Sequence, residues 1–290
     1  MKNNLLLLLC LSLAASAATQ ELLFQGEELI FPTSQTHGQM FSAVLVTKNK
    51  KVIVFDGGRH KDNAHLISII KQYSDTVDLW ILTHAHGDHT DQLVEFINAT
   101  PDALKVKQIC YNFPPLDWIV KHEKESEAEA TRIYNALEKT TIPKKIVKKG
   151  DVFELDGVHV EVINEPDLTI LANPVNNASI VFNVAFAGKK LLITGDIGVQ
   201  MGDKLVKECP DKLVSDIVVM SHHGQHGANK NFYAATKMSI AVWPTPQWLW
   251  DNNNGGGPGS GPWVTNYVKC WLQDLKVKRQ YVTTKEVRLK

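Results

Sequence analysis

Four side chains able to bind a metal ion fall within six residues, His84, His86, Asp88 and His89, in the stretch Thr83-His84-Ala85-His86-Gly87-Asp88-His89-Thr90. Their spacing is not the i, i+4 of a helical histidine pair, so a helix would not present all four to one point. A tight loop at a strand end does so. The apolar run Val77-Asp78-Leu79-Trp80-Ile81-Leu82 in front of them reads as that strand, buried. Gly87 permits the turn. Asp88 then falls where a helix over residues 90–98 begins, a favourable place for a carboxylate. Imidazole and carboxylate without thiolate suit zinc first and manganese or iron next.

Further motifs follow in order: Gly38-Gln39 before a strand, Asp56-Gly57-Gly58 after one, Asn177-Ala178-Ser179 opening one, Leu191-Leu192-Ile193-Thr194-Gly195-Asp196, and Ser221-His222-His223-Gly224. His-x-His-x-Asp-His after a hydrophobic strand resembles the metallo-β-lactamase superfamily. The order of the other motifs resembles the hydrolase domain of ComEC-type competence proteins and their stand-alone relatives, from about Gln35 to the C-terminus. The resemblance implies an α/β fold, a four-layer αββα sandwich, with two divalent metal ions at its edge and a metal-activated water that hydrolyses a bond. His84 and His86 would hold the first ion, and Asp88, His89 and His222 the second. Asp196 would stand between them, where a carboxylate lowers the repulsion of two cations. His222, the first residue past its strand, is preferred to His223 as ligand. His223 is expected to meet the substrate's leaving oxygen or anionic group, so Asp88 and His223 are the expected catalytic residues. Asp56 is expected to support the histidine loop by hydrogen bonds.

Two departures from the resemblance matter. Where many members place a third histidine for the first ion, this chain has only Asn173, Asn176 and Asn177, weaker neutral donors. The Gly-His-Pro that competence-type domains carry near their end is here Gly261-Pro262-Trp263. The expected substrate is a phosphoester or phosphodiester, small or nucleotide-like. Lactam, lactone or thioester hydrolysis in the same site is the second reading, and a binding protein with a decayed metal site the third. Decay is disfavoured, because little else calls for so many convergent polar groups.

The elements that position these residues are legible from periodicity. A hairpin over 41–55, a helix over 62–73 and a strand over 77–82 precede the metal loop. Strands over 144–147, 152–155 and 158–163, a hairpin over 178–194, strands over 216–221 and 238–243, a helix over 263–275 and a strand over 278–287 follow. The segment 118–139 reads as a solvent-facing helix, with Glu123, Glu125, Glu127 and Glu129 as its solvated charges. Trp243, Trp248, Trp250 and Trp263 surround a glycine-rich loop at 252–261 and offer flat walls for a cleft.

The chain of 290 residues is long enough for one well-buried domain. Its 31 Lys and Arg balance 31 Asp and Glu, so global charge makes no case for nucleic-acid binding. Residues 1–18 read as a secretory signal peptide, with Leu5 to Leu13 too short to span a bilayer and Ala17-Ala18 near a cleavage site. Export to the periplasm or medium follows, with no membrane span after cleavage, a lead-in at 19–34 and one hydrolase domain at 35–290. Beyond the signal, Cys110, Cys209 and Cys270 allow at most one internal disulfide.

Overall fold

Alternation along the strands builds the core. In the strand Ser42–Val46, Ala43 and Leu45 face one way and Val44 and Val46 the other, and all are fully buried. Val52–Asp56 repeats the pattern, Ile53 and Phe55 on one face and Val52 and Val54 on the other. A strand apolar on both faces has to be covered on both. On the inner side these residues meet Val160, Phe182, Val184, Leu191, Ile193 and Val219 of an opposing sheet. On the outer side they meet the helices Asn63–Ile70, Gly87–Ala99 and Glu127–Lys139. The opposing sheet is covered in turn by Val199–Glu208, Lys230–Thr236 and Thr265–Asp274. Helix, sheet, sheet, helix is the four-layer sandwich expected from the sequence. The structure, a computed structural model, describes residues 23–290. The signal peptide expected at 1–18 lies outside the described residues.

Each sheet has seven strands. The first runs in the order Val287–Leu289, Glu28–Phe31, Ser42–Val46, Val52–Asp56, Leu79–Ile81, Ile109–Tyr111, Lys144–Ile146. Its last four strands are parallel. The second runs Arg279–Val282, Ile240–Trp243, Ile217–Val219, Lys189–Ile193, Phe182–Phe186, Val158–Val162, Val152–Leu155, and its first four strands are parallel. Parallel strands gather their C-terminal ends on one edge, the place where α/β sheets hold their ligands. Here the edges of both sheets meet, joined by the Ile180 N–H donating to the Thr83 carbonyl at 2.9 Å.

The structure departs from the sequence reading in five places, the first being the helix expected over 118–139, which is two helices, Leu116–His122 and Glu127–Lys139, with a break around Glu123. Residues 28–31, inside the expected lead-in, form a buried strand between Ser42–Val46 and Val287–Leu289. The expected strand over 77–82 is broken at Asp78, whose N–H donates to the Val52 carbonyl while its carboxylate takes the Val52 N–H and the Lys107 ammonium. Thr76–Val77 pairs instead with Lys105–Val106 in a small separate sheet. The expected strand over 278–287 is two strands in different sheets, the second covering the otherwise open edge at Glu28–Phe31. The helix after the metal loop starts at Gly87, so Asp88 and His89 lie in its first turn and not in the loop. Among the described residues Cys110, Cys209 and Cys270 form no disulfide. Among the described residues no helix is long and apolar enough to cross a membrane.

Candidate metal centre

The site starts from one aspartate in an unusual backbone conformation. Asp56 ends its strand at φ +50°, a left-handed geometry that aspartate tolerates better than most residues. Fully buried, its Oδ1 accepts the Thr83 N–H at 2.7 Å, and its Oδ2 accepts both the Thr83 hydroxyl and the His89 Nδ1–H at 2.7 Å. The loop that follows the strand Leu79–Ile81 is therefore tied to Asp56, as expected. Gly57 adds a backbone bond to the His89 carbonyl at 2.8 Å.

Each histidine of the motif has one ring nitrogen engaged by the protein. His84 Nδ1–H donates to Thr83 Oγ1 at 3.0 Å, leaving Nε2 bare. His86 Nε2–H is shared between Glu123 Oε1 at 2.6 Å and Ser126 Oγ at 3.0 Å, leaving Nδ1 bare. The two bare nitrogens stand 3.2 Å apart. That is close to the edge of a tetrahedron whose metal–nitrogen bonds are about 2.0–2.1 Å. His89 Nε2 is buried and has no hydrogen-bond partner, and it lies 3.2 Å from Asp196 Oδ1.

The second sheet contributes the rest. Asp196 follows the strand Lys189–Ile193 across Gly195, whose φ is +52°. A Cβ at Gly195 would stand 2.8 Å from that of Ser179, so only glycine fits. The strand Ile217–Val219 ends in a turn where His222 and His223 are both left-handed, at φ +50° and +54°. Two such residues in succession are costly and mark a constrained turn. It is His223 that this turn buries completely. Its Nδ1–H donates to the Pro244 carbonyl at 2.8 Å, and its bare Nε2 lies 3.1 Å from Asp88 Oδ2 and 3.4 Å from Asp196 Oδ2, aligned with neither as a hydrogen bond. His222, the ligand preferred from sequence, stands on the more open side. Its Nε2 is 3.9 Å from Asp196 Oδ2 and its Nδ1 has no partner. The left-handed turn, not strand direction, aims the two rings, and it sets His223 Nε2 nearer to Asp88 and Asp196 than His222 Nε2 is to Asp196.

The fit to metal ions rests on these donor sets. His84, His89 and Asp196 offer ligand atoms that lie within 4.8 Å of one another, and so do Asp88, His89 and His223. Burial opposes charge on Asp196, yet the adjacent His89 and His223 hold its carboxyl well below the usual carboxylate range. Asp88 is likewise held low against its burial, by His223 and His89. Burial pushes His84 well below the ordinary imidazole range, the neutral form a metal requires. His223 is raised to about 9, since Asp196 and Asp88 outweigh its burial. Asp196 and Asp56 raise His89 well above the ordinary imidazole range against its burial, so protons on His89 and His223 balance the buried carboxylates until divalent ions displace them.

Several contributors were not foreseen. Glu123, read from sequence as a solvated charge, is buried against His86, and its Oε2 accepts the Val175 N–H at 3.0 Å. Glu129 accepts the Gly87 N–H at 2.7 Å, while Glu125 is exposed as expected. Nothing in a run rich in Glu, Lys and Ala distinguishes one inward glutamate from its neighbours. Gln39 donates to Asp88 Oδ2 at 3.1 Å, and its own Oε1 accepts Gln225 Nε2 at 2.9 Å. Of the three asparagines, Asn177 Oδ1 accepts the N–H groups of Gly198 and Met201 and Asn173 Oδ1 accepts from Asn176, whereas Asn176 Oδ1 is buried with no hydrogen-bond partner. His226 is exposed. Trp243 is a core residue, and Trp248 packs on Trp263 beside a cavity of about 400 Å³ lined by Thr36, His37, Gly38, Met40 and Pro244.

Comparison with known proteins agrees with this fold. A family model described as the metallo-beta-lactamase superfamily matches residues 40–234, more than half of the chain. The metallo-beta-lactamase fold protein YhfI from Bacillus subtilis superposes with a TM-score of 0.57 at 10% identity, over 92% of this chain and 100% of that one. CmlA, a diiron beta-hydroxylase from Streptomyces venezuelae, gives 0.54 at 10% identity, over 92% of this chain and 54% of that one. Zn(2+)-bound PqqB from Methylobacterium extorquens gives 0.51 at 9% identity, over 91% and 99%. At such identities the likeness is one of fold. No curated protein matches the chain in sequence.

Proposed function

The chain belongs to the metallo-beta-lactamase superfamily, and from that premise we propose that it is a metal-dependent hydrolase acting on a phosphoester or phosphodiester. The observation that carries the reading is the set of four imidazoles, His84, His86, His89 and His223, each with one nitrogen engaged by the protein and the other bare, around Asp88 and Asp196. His84 and His86 would hold the first ion and Asp88, His89 and His223 the second, with Asp196, 4.0 Å from His84 and 3.2 Å from His89, within reach of both. Bound there, a pair of divalent ions, zinc first by donor type, supplies Lewis-acid activation of water and of the scissile bond. His222, more open to solvent and with an unpartnered nitrogen, faces the substrate and its leaving oxygen.

The preference for an anionic substrate is supported by Arg59. Its Nη2 is 3.9 Å from Asp88 Oδ2 and its Nε donates to the Gln39 carbonyl, which leaves a partly exposed guanidinium at the rim. A fork of N–H donors suits a phosphoryl oxygen pair. The cavity of about 400 Å³ lined by Gly38, Met40 and Pro244, whose carbonyl accepts from His223, has the size of a small-molecule pocket and can take the rest of a small or nucleotide-type substrate. Kinship with the exported, stand-alone ComEC-like branch belongs to the same reading, and rests on the motif order and on the apolar run at 5–13.

A panel of bis-p-nitrophenyl phosphate, single-stranded DNA, a chromogenic cephalosporin and a lactone, with zinc and separately with manganese, tests it. Turnover is expected on the phosphodiesters, and Asp88→Ala should reduce it to background. Turnover confined to the cephalosporin or lactone would reject the phosphoester assignment, and full activity in Asp88→Ala would reject the two-metal site.

A further inference from the structure

We infer that Glu123 is a positioning residue for the first metal ion, fixing the tautomer and aim of His86 from the helical segment that lies over the site. The inference rests on the two-ion reading above and concerns a residue outside the ligand set. Glu123 is 7% exposed and has both oxygens committed to the protein. Oε1 accepts from His86 Nε2 at 2.6 Å and from the Ser126 hydroxyl at 2.6 Å, and Oε2 accepts the Val175 N–H at 3.0 Å. With its oxygens so used, it acts on the ion only through His86. A carboxylate accepting from Nε2–H forces the proton onto that nitrogen and leaves the Nδ1 lone pair facing His84 Nε2.

The segment that carries Glu123 is fastened to the metal motif at two further points. Glu129 accepts the Gly87 N–H at 2.7 Å, and Arg132 holds Asp91 through paired bonds of 2.9 and 3.0 Å. Glu127–Lys139 thus grips the start of Gly87–Ala99, and Glu123 lies in the break between it and Leu116–His122. Its other bond, to Val175, reaches the turn Pro174–Asn177. One carboxylate joins a ligand ring to two separate segments of the fold, an arrangement suited to orienting a ring and wasteful for mere solvation.

The test measures zinc binding by competition with a chromophoric chelator, together with 15N spectra of the histidine rings in the zinc-loaded protein. In the parent protein, His86 should carry its proton on Nε2. Glu123→Ala should weaken the first ion by about 10–100-fold, leave the second unchanged and lose the single His86 tautomer. Glu123→Gln keeps an acceptor oxygen and the packing, so it should fall between the two and serves if the alanine variant does not fold. Parent-like affinity and an unaltered His86 tautomer in both folded variants would overturn the inference. Complete loss of the first ion would overturn it too, marking Glu123 as a ligand. Absence of zinc binding in the parent protein would instead reject the two-ion reading itself.

Discussion

At the scale of single residues, the chemistry depends on which ring nitrogen is free. Asp56, Thr83, Glu123 and the Pro244 carbonyl each take one N–H from a histidine or its relay, and each thereby presents a bare nitrogen to the centre. The same argument separates the two adjacent histidines. His223 has a pinned Nδ1 and a bare Nε2 among carboxylates, whereas His222 has no pin. His223→Ala is expected to lose one ion per chain after dialysis. His222→Ala should keep both ions and lower kcat by about 100-fold, the size of a lost proton-transfer partner. If metal analysis gave the reverse pattern, residue 222 would be the ligand.

At the scale of elements, the loops after the parallel strands carry function and the helices outside them set the electrostatics of individual groups. The helix Thr265–Asp274 brings Lys269 over the Trp250 ring, with Nζ 3.8 Å from its centroid, where it donates to the Trp250 carbonyl. Burial there lowers the ammonium to about 8 from an ordinary 10.5. A depressed lysine is penalised in the folded state below the folded value. Between about pH 8 and 10.5 the unfolded chain holds a proton that the folded one has released, so stability from this group rises with pH. Lys269→Met removes that dependence. Urea midpoints of parent and variant, compared from about pH 7 to about pH 10, should shift steadily in favour of the parent. A difference that does not change with pH would show that the ammonium is not desolvated.

At the scale of the whole molecule, the centre is shared between the two halves of the sandwich. His84, His86, Asp88 and His89 come from the first sheet's edge, Asp196, His222 and His223 from the second's, and the last strand returns to the first sheet. Ions held between the halves bind the folded state alone, so they stabilise it by about 4 kcal/mol when free ion exceeds Kd a thousandfold. For a chain of this size that corresponds to a rise in Tm on the order of 10 °C over the chelator-treated protein. Equal melting with zinc and with chelator would mean that the cluster holds no ion.

The local pattern was enough to reveal the metal motif, the strands that lead into it, the layer architecture and the supporting Asp56. The motif and its strands follow from periodicity and from donor types placed a few residues apart, which neighbours in sequence carry, whereas the layer architecture was what the resemblance carried by the motif order implied. The lead-in strand at Glu28–Phe31, the split of the last strand between two sheets, the burial of His223 beside Asp88 and the inward turn of Glu123 were decided by tertiary structure. Each depends on a partner far along the chain. Glu123 meets His86 across 37 residues and Val175 across 52, and Glu28–Phe31 finds its partner strand at the opposite end of the chain. A residue's type says what it can bind. Only the packed fold says what stands within 3 Å of it.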